Sequence, residues 1–482
     1  MIKNGKKQRD SNQVTENTKQ QEEGMKPNRI EIEPFHFKSC TELVMKQQVN
    51  EHAFGRIKGI LDKETDEELL EKMSADETIT IKAESEDGEE MVLFKGLIHK
   101  ASLSMEDGTK VLEIEAVSHT SRMDMKRNTC IFQDTSRTYL EIARYIGGKY
   151  GARVIGTEGR TQEIGQMVVQ YQETDWEFLK RMASQLNTVL VADSINGKIS
   201  YSFGPVILKK RELLDYSKKM VRNMGEFYRQ RNQGREACKE SDTAVLIVTT
   251  REVLELCTPV QLGDLEYLVK GVTMRLEDGQ MMNTCELVFT GGMKTVPIQN
   301  GRIRGASLEG TIEKVKRDKV QVHFPQDVDH SYVWFPYATA YSSPDGAGWY
   351  CMPEIGDAVR VYFPDKEESH GVAVNMIHLT CGMREEPEIK YIRSPYDKEI
   401  RFEPGTITLT NHKGMSVVLD DKRGISLKSG RDVVILSEGD IEMNSKKNIR
   451  ITGDQGVIAR QGDNRIEIED GIRQIARTIS QK

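Results

Sequence analysis

Five aromatic residues close together, Trp334, Phe335, Tyr337, Trp349 and Tyr350, are the side chains best suited to hold a ligand, because flat rings stack on bases and sugars. Lys314, Lys316, Arg317 and Lys319 precede them and add positive charge. Asp327, Asp329, Asp345, Asp357, Glu367 and Glu368 surround the rings and would repel a phosphate backbone, so nucleic acid is not an expected partner. The rings are expected to pack a small barrel and its contacts with other copies. His323, His330, His370 and His378 lie in the same stretch, but their spacing fits no common ligand motif; surface or packed histidines are expected, and no metal. Glu173 and Asp175 look like an acid pair, yet the capping box of Thr174 and Glu177 accounts for them better. The sequence holds no nucleophile elbow or phosphate loop, and GRIRGASLEG at 301–310 lacks the Lys-Ser/Thr such a loop needs. No catalytic residue and no cofactor is expected, and the chain reads as a non-enzyme.

Whatever these residues do, short β-elements must place them. The clearest signal is a period of eight near the C-terminus: Val417 and Leu419, Ile425 and Leu427, Val433 and Ile435, Ile441 and Met443, Ile449 and Ile451, then Val457 and Ala459. Residues i and i+2 of a strand share a face, so each pair points one way. Gly424, Asp432, Asp440, Asn448 and Gly456 fall at the links, where turn-formers belong. Two inward side chains per rung are too few for one chain to close around its own core. Several chains winding about one axis would share it, and three would close a triangular prism, each octad advancing it by about 4.8 Å. The expected trimer core is Val417, Leu419, Ile425, Leu427, Val433, Ile435, Ile441, Met443, Ile449, Ile451 and Val457. The other reading is a monomeric β-helix, an enzyme or a carbohydrate- or nucleic-acid-binding protein on an OB barrel. Its coils would be longer and its sites would carry clustered Asp or Arg.

The 482 residues suffice for three or four domains; 30% are charged and 37% apolar, and the formal charge of -7 differs from that of a general nucleic-acid binder. The start, MIKNGKKQRDSNQ, is basic without an apolar stretch behind it, which predicts a disordered leader over 1–28 and no signal peptide. Seven scattered cysteines with no CxxC pair suit folding in a reducing cytoplasm.

Between leader and octads the expected class is mainly β. Alternation over 29–134 predicts a barrel, with a hairpin around 106–108 and an acidic helix at 64–73. An α+β region over 135–210 carries a helix from Thr135 that stops at Gly147-Gly148, a second opening at Thr174 with Trp176, Leu179, Ala183 and Leu186 on one side, and a two-residue hairpin at Asn196-Gly197. A second barrel is expected over 211–300, with a hairpin around 277–279, then an OB barrel over 301–378, a linker over 379–404, the octad β-helix over 405–470 and a tail over 471–482.

That order resembles the VgrG family of contractile injection systems and the related phage tail hub and spike proteins. YQETDWEFLKRMASQLN at 171–187 is similar to the family's aromatic-x-E-S/T-D-x-x-F-L-x-R segment, and PEIGDAVRVYFPD at 353–365 with HGVAVNMIH at 370–378 to its P-x-x-G-D-x-V-x-V-x-F signature. VNEHAFGRIKGIL at 49–61 is similar to the opening of its hub domain. The resemblance implies a homotrimeric hub that adapts a sixfold inner tube to a threefold, envelope-piercing needle. It implies inner tube and baseplate proteins as partners, a PAAR-like conical tip protein at the end formed by 457–482, and assembly in a bacterial cytoplasm as part of a tail-like particle delivered outside on firing. Some relatives carry a lysozyme domain or a toxin; here no effector domain is expected in cis, and with no histidine after His412 no metal is expected at the tip.

Overall fold

The computed structural model describes residues 27–480 apart from 63–64, 75, 86–89, 107, 236, 375–380, 383 and 469. Most of the basic leader and His378 therefore lie outside the described residues. The chain divides into two units, Met1–Ile377 and His378–Lys482.

The first unit opens with β1 (Pro27–Glu33), β2 (Phe37–Gln48), β3 (Phe54–Leu61), β4 (Thr78–Ser85), β5 (Glu90–Glu106) and β6 (Thr109–Val117). Strict alternation in β3 buries Ile57 and Leu61 and leaves Arg56 and Lys58 half-covered, the signature of a sheet with one face on the core. Between β3 and β4 stands the acidic helix α1 (Asp66–Lys72), where Thr65 caps the amide of Glu68, Glu68 caps Thr65 in return, and Leu69 anchors the helix to the core.

Next come β7 (Arg127–Phe132), α2 (Tyr139–Gly148), β8 (Arg153–Gly156), β9 (Val168–Thr174), α3 (Asp175–Gln185), β10 (Leu190–Ala192) and β11 (Ser200–Phe203). Two local expectations fail here. Gly147 and Gly148 lie inside α2 rather than beyond it, and the positive φ of 61° comes later, at Gly151. A Cβ at Gly147 would stand 2.7 Å from Val154, so glycine there lets the helix lie close on β8. Asn196-Gly197 does not form a two-residue turn: Ala192 pairs with Tyr201, leaving a longer loop. The Asp193 carboxylate accepts from the amides of Ile195 and Asn196 and so builds that loop around itself.

The chain then returns to β-structure with β12 (Arg211–Glu212), β13 (Ser217–Arg222), β14 (Ala244–Thr250), β15 (Pro259–Leu262), β16 (Leu265–Glu277) and β17 (Gln280–Val288), with α4 (Met224–Asn232) after β13. The β16–β17 turn is the expected one, with Glu277 opposite Gln280 and positive φ at Asp278 and Gly279. The two β-rich regions do not stand as separate barrels. Met45 of β2 pairs with Met274 of β16, which joins them into one twelve-stranded sheet over one apolar cluster.

β18 (Ser307–Lys316), β19 (Lys319–His323), β20 (Trp334–Pro336), β21 (Ala358–Tyr362) and β22 (Val372–Val374) form a five-stranded sheet in the order β20-β19-β18-β21-β22. A bridge between Tyr337 and Ala373 brings its ends together, which makes it a small barrel. The signature over 353–363 now has physical content. Gly356 holds a φ of 90°, Asp357 accepts from the amide of Glu354, and Val359, Val361 and Phe363 point into the barrel core.

The second unit holds β23 (Lys390–Arg393), β24 (Glu399–Glu403), β25 (Thr406–Thr410), β26 (Ser416–Asp420) and β27 (Gly424–Lys428), an antiparallel meander, then β28 (Val457–Gln461), β29 (Asn464–Ile468) and β30 (Ile472–Ile475). Strand pairing thus begins inside the stretch expected as a linker. The octads at 433–451 form no strand within one chain, because no second strand of the same chain lies beside them among the described residues.

Candidate functional site

Two features of this chain stand out: a buried polar joint in the first unit and an uncovered apolar face in the second. The joint centres on Arg181 of α3. Its Nε and Nη2 donate to the Glu173 carboxylate at 2.9 and 2.8 Å, its Nη1 to Glu368 at 2.9 Å and its Nη2 to the Val169 carbonyl at 2.8 Å. All three ionised side chains are at least nine-tenths buried. Burial pushes the Glu173 carboxyl above its usual range; the Arg181 charge opposes that shift and the Glu368 charge adds to it. Glu173 is thus an ion-pair partner and Asp175 is bonded to Tyr150 and Gln170, so the helix cap, made by Thr174 and Glu177, explains neither. A buried triad must keep every partner, since a lone buried charge is costly.

Other bonds tie the barrel to the same α+β region. Gln133 donates to the Val322 carbonyl and to Asp327, each at 2.9 Å, Asn300 donates to the Tyr171 carbonyl at 2.8 Å, and Ile131, Met167 and Val169 share the apolar cluster of the barrel. On the opposite side of α3, the Trp176 indole donates to the Asn50 carbonyl at 3.1 Å, and His52 bonds Asp124 at 2.8 Å. The helix is therefore pinned to the large sheet by one end of its sequence and to the barrel by the other.

The residues best suited by type to hold a ligand do not converge. Phe335 is buried in the barrel, whereas Trp349 and Tyr350 are exposed and Trp334 partly so. Lys314, Lys316, Arg317 and Lys319 are exposed around the β18–β19 turn. His323 pairs with Asp327 and His370 with Asp365, so each has a carboxylate partner rather than a metal-like cluster. No group of three or more metal-ligating side chains occurs among the described residues. A cavity of about 560 Å³ lies beside Arg181, lined by Gln166, Gln185, Gln233 and Gln299, and its Arg181 and Glu368 already satisfy each other. The cysteines are free; burial pushes Cys257 up to about 11 and Cys285 to about 12, so both stay thiols.

In the second unit, register places Ile392 opposite Ile400, Phe402 opposite Ile407, Leu409 opposite Val417 and Leu419 opposite Ile425, all on one face of the meander. Val417, Leu419, Ile425 and Leu427 thus share a face, which the eightfold period implied, and the face continues upstream through Leu409 to Phe402, Ile400 and Ile392. Val417 and Val457 are half-buried in the single chain; Leu419, Ile425, Leu427, Val433, Ile435, Ile441, Met443, Ile449 and Ile451 are exposed. Burying a side chain of this size is worth about 1.5–3 kcal/mol, so an uncovered row of them is a strong drive toward association.

Residues 308–378 match the family model of the type VI secretion system/phage-baseplate injector OB domain. The structure is similar to the E. coli c3393 protein, a type VI secretion component described as resembling the T4 bacteriophage tail proteins gp27 and gp5. Identity is 14%, coverage is 72% of this chain and 99% of that one, and the TM-score is 0.50. The chain has the fold of the VgrG and phage tail hub-spike proteins. A chain of the lidded Francisella PdpA–VgrG complex shares that fold at 10% identity, with 81% of this chain and 76% of that one covered and a TM-score of 0.56; the half-lidded complex gives 11%, 84%, 87% and 0.54. Residues 39–227 also match the family model of the Alg8 N-terminal domain, and no curated protein matches the chain. Within this VgrG-like fold the segments that carried the resemblance are its joints. Asn50 meets Trp176, and Arg181 meets Glu368. The spacing of T-D-x-x-F-L-x-R places Phe178 and Leu179 in the core while Arg181 faces the barrel; the ion pairs of Arg181 with Glu173 and Glu368 were not read from the sequence.

Proposed function

We propose that three copies of this chain form the central hub and spike of a contractile injection apparatus, adapting a sixfold inner tube to a threefold, envelope-piercing needle. The observation that carries the proposal is the apolar face of the second unit, followed by octads whose inward side chains lie exposed in the single chain. Three chains wound about one axis would bury them together. The VgrG-like fold of the first unit supports the hub. In this reading 29–134 and 211–300 supply the hub surfaces, 135–210 joins them to the OB unit at 301–378, and 405–470 forms the needle with help from the strands that begin at Lys390.

The buried joint at Arg181 suits this role. Helix α3 is one of the links between the sheet and the barrel, and a satisfied ionic triad inside an apolar shell resists shear because no partner can leave without stranding a charge. The partners are inner tube and baseplate proteins around the hub and a PAAR-like conical tip protein on the end formed by 457–482, where open strand edges invite capping. The protein acts mechanically and needs no catalytic group or cofactor; it is assembled in the bacterial cytoplasm into a tail-like particle and leaves the cell on firing. No helix among the described residues is long and apolar enough to cross a membrane.

Absolute mass of the full chain by light scattering across a dilution series tests the reading. The expected mass is three chains at every concentration. A folded monomer would remove the shared core and return the chain to a carbohydrate- or nucleic-acid-binding, or enzymatic, β-helix.

A further inference from the structure

At the Arg181 joint two buried carboxylates share one guanidinium. Glu173 takes Nε and Nη2, and Glu368 takes Nη1 through its Oε1. The three side chains are between 4% and 7% exposed, so the joint holds one more negative than positive charge away from water. Burial raises the Glu173 carboxyl, and the Glu368 charge adds to that rise, as expected where two acids share one cation. The ion pair with Arg181 uses only one Glu368 oxygen. The other, Oε2, accepts from no group among the described residues. A buried carboxylate with an oxygen to spare is a place where a further donor is stabilising.

Glu368 lines the cavity of about 560 Å³ beside the joint, a size common for small-molecule sites. Ile164, Val168 and Met182 are buried around it, Tyr139 and Pro297 are half-buried, and Gln166, Gln233 and Lys366 are exposed at the rim. The side chains of Gln166 and Gln233 make no hydrogen bond among the described residues. Counting Glu367 and Lys366 with the triad, three carboxylates stand against two cations, so the site favours a positive ligand over an anion. A divalent metal does not fit, because no group of three or more ligating side chains occurs among the described residues. A guanidinium fits less well than an ammonium, since bidentate pairing needs both carboxylate oxygens and Arg181 already holds one. The apolar wall calls for methylene groups next to the charge.

We propose that this cavity binds a linear aliphatic amine, its ammonium donating to Oε2 of Glu368 and its methylenes lying against Ile164, Val168 and Met182. The Tyr139 ring offers a π-face to the same cation. A free diamine would set its second ammonium on the amide oxygens of Gln166 and Gln233, whereas a lysine side chain of a partner would bring its backbone to that rim. Either source bridges α3 to the barrel segment at 366–368 and to the connector at 297–299, and so stiffens the joint. The binding itself does not depend on the number of copies.

Isothermal titration calorimetry of the full chain with putrescine, at fixed ionic strength, tests it. Saturable heat with one site per chain is expected, and the uncharged diol of the same length is expected to give none. Glu368→Gln is expected to weaken binding at least about tenfold, because it removes a charge-assisted hydrogen bond. Lys366→Gln removes a repelling charge and is expected to tighten binding up to about fivefold at low salt, a gain that shrinks as salt rises. Lys366 is exposed and makes no ion pair among the described residues, so this variant decides the matter even where Glu368→Gln folds poorly. Nα-acetyl-lysine amide is the second probe: tighter binding than putrescine assigns the ammonium to a partner's lysine, weaker binding to a free diamine. No saturable heat with either amine, equal binding of the diol, or affinity unchanged by both substitutions overturns the site. None of these outcomes alters the three-chain mass, so the hub reading stands or falls separately.

Discussion

Arg181 and Glu368 stand 187 positions apart in sequence and 2.9 Å apart in space, with 4% and 7% of their side chains exposed. Replacing Arg181 with Met leaves Glu173 and Glu368 buried together without a cation. Breaking a buried pair in this way costs about 3–5 kcal/mol. The Arg181→Met chain is therefore expected to unfold at markedly lower urea concentration, and Glu368→Gln, which keeps an acceptor for the guanidinium, is expected to lose less. Equal midpoints for Arg181→Met and the parent chain would remove the joint from any account of how the barrel is held.

His119 gives a pH dependence with a definite sign. It is buried, with its Nε2 3.2 Å from the Thr78 hydroxyl; burial lowers its pKa, Arg122 and Lys95 lower it further, and Asp193 opposes them. The folded value lies below the unfolded 6.5, so the unfolded chain binds the proton more readily. Its contribution to stability is complete above pH 6.5 and is lost as pH falls through the folded value. Urea midpoints at pH 7.5 and 5.5 are expected to fall further for the parent than for His119→Gln. An identical fall in both would show that other groups carry the acid sensitivity.

Gly59 is required by packing. A Cβ there would lie 2.5 Å from the Ser39 carbonyl oxygen and 2.7 Å from the Phe37 ring, and the former is backbone that cannot swing aside. Gly59→Ala is expected to cost about 1–3 kcal/mol. Gly148→Ala is the opposite case, since that position is helical with open space around it. It is expected to gain about 0.4–1 kcal/mol. Denaturation curves of the two variants check the contrast.

Local physics wrote the parts that were legible in advance. The capping box of Thr174 and Glu177 was read from the sequence and caps α3. The same spacing at Thr65 and Thr138 caps α1 and α2 but was not read, and α2 starts after Thr138 rather than at the expected Thr135, while the hairpin at Asp278-Gly279 follows from residues that tolerate positive φ. Helix α4 was missed because only Phe227 of its residues is buried, leaving no apolar stripe to read; Asn223 followed by Glu226 was the available cue. The joint was illegible because Glu173, Arg181 and Glu368 meet only after the fold is complete. The apolar face of the second unit was read from Val417 onward, where the period is eight. Ile400, Phe402 and Ile407 lie on the same face at other spacings, and Leu409, eight residues before Val417, is followed at i+2 by Asn411 rather than an apolar partner, so register rather than period reveals them.

That face sets the most direct prediction for the needle. Ile441 and Ile449 are exposed in the single chain, so aspartate at either position would perturb an isolated chain little. In a threefold needle the same change brings three carboxylates to one level of the axis. Desolvating even one unpaired carboxylate costs several kcal/mol, and mutual repulsion adds to it. Ile441→Asp and Ile449→Asp are therefore expected to keep the fold of the first unit, reported by an unchanged urea midpoint, while light scattering shows loss of the three-chain species or its dissociation on dilution. Serine at neighbouring Glu442 should leave the mass unchanged, because i and i+1 point to opposite sides of an extended chain. An undiminished trimer carrying either aspartate would mean that these side chains face outward and that the octads assemble about a different seam.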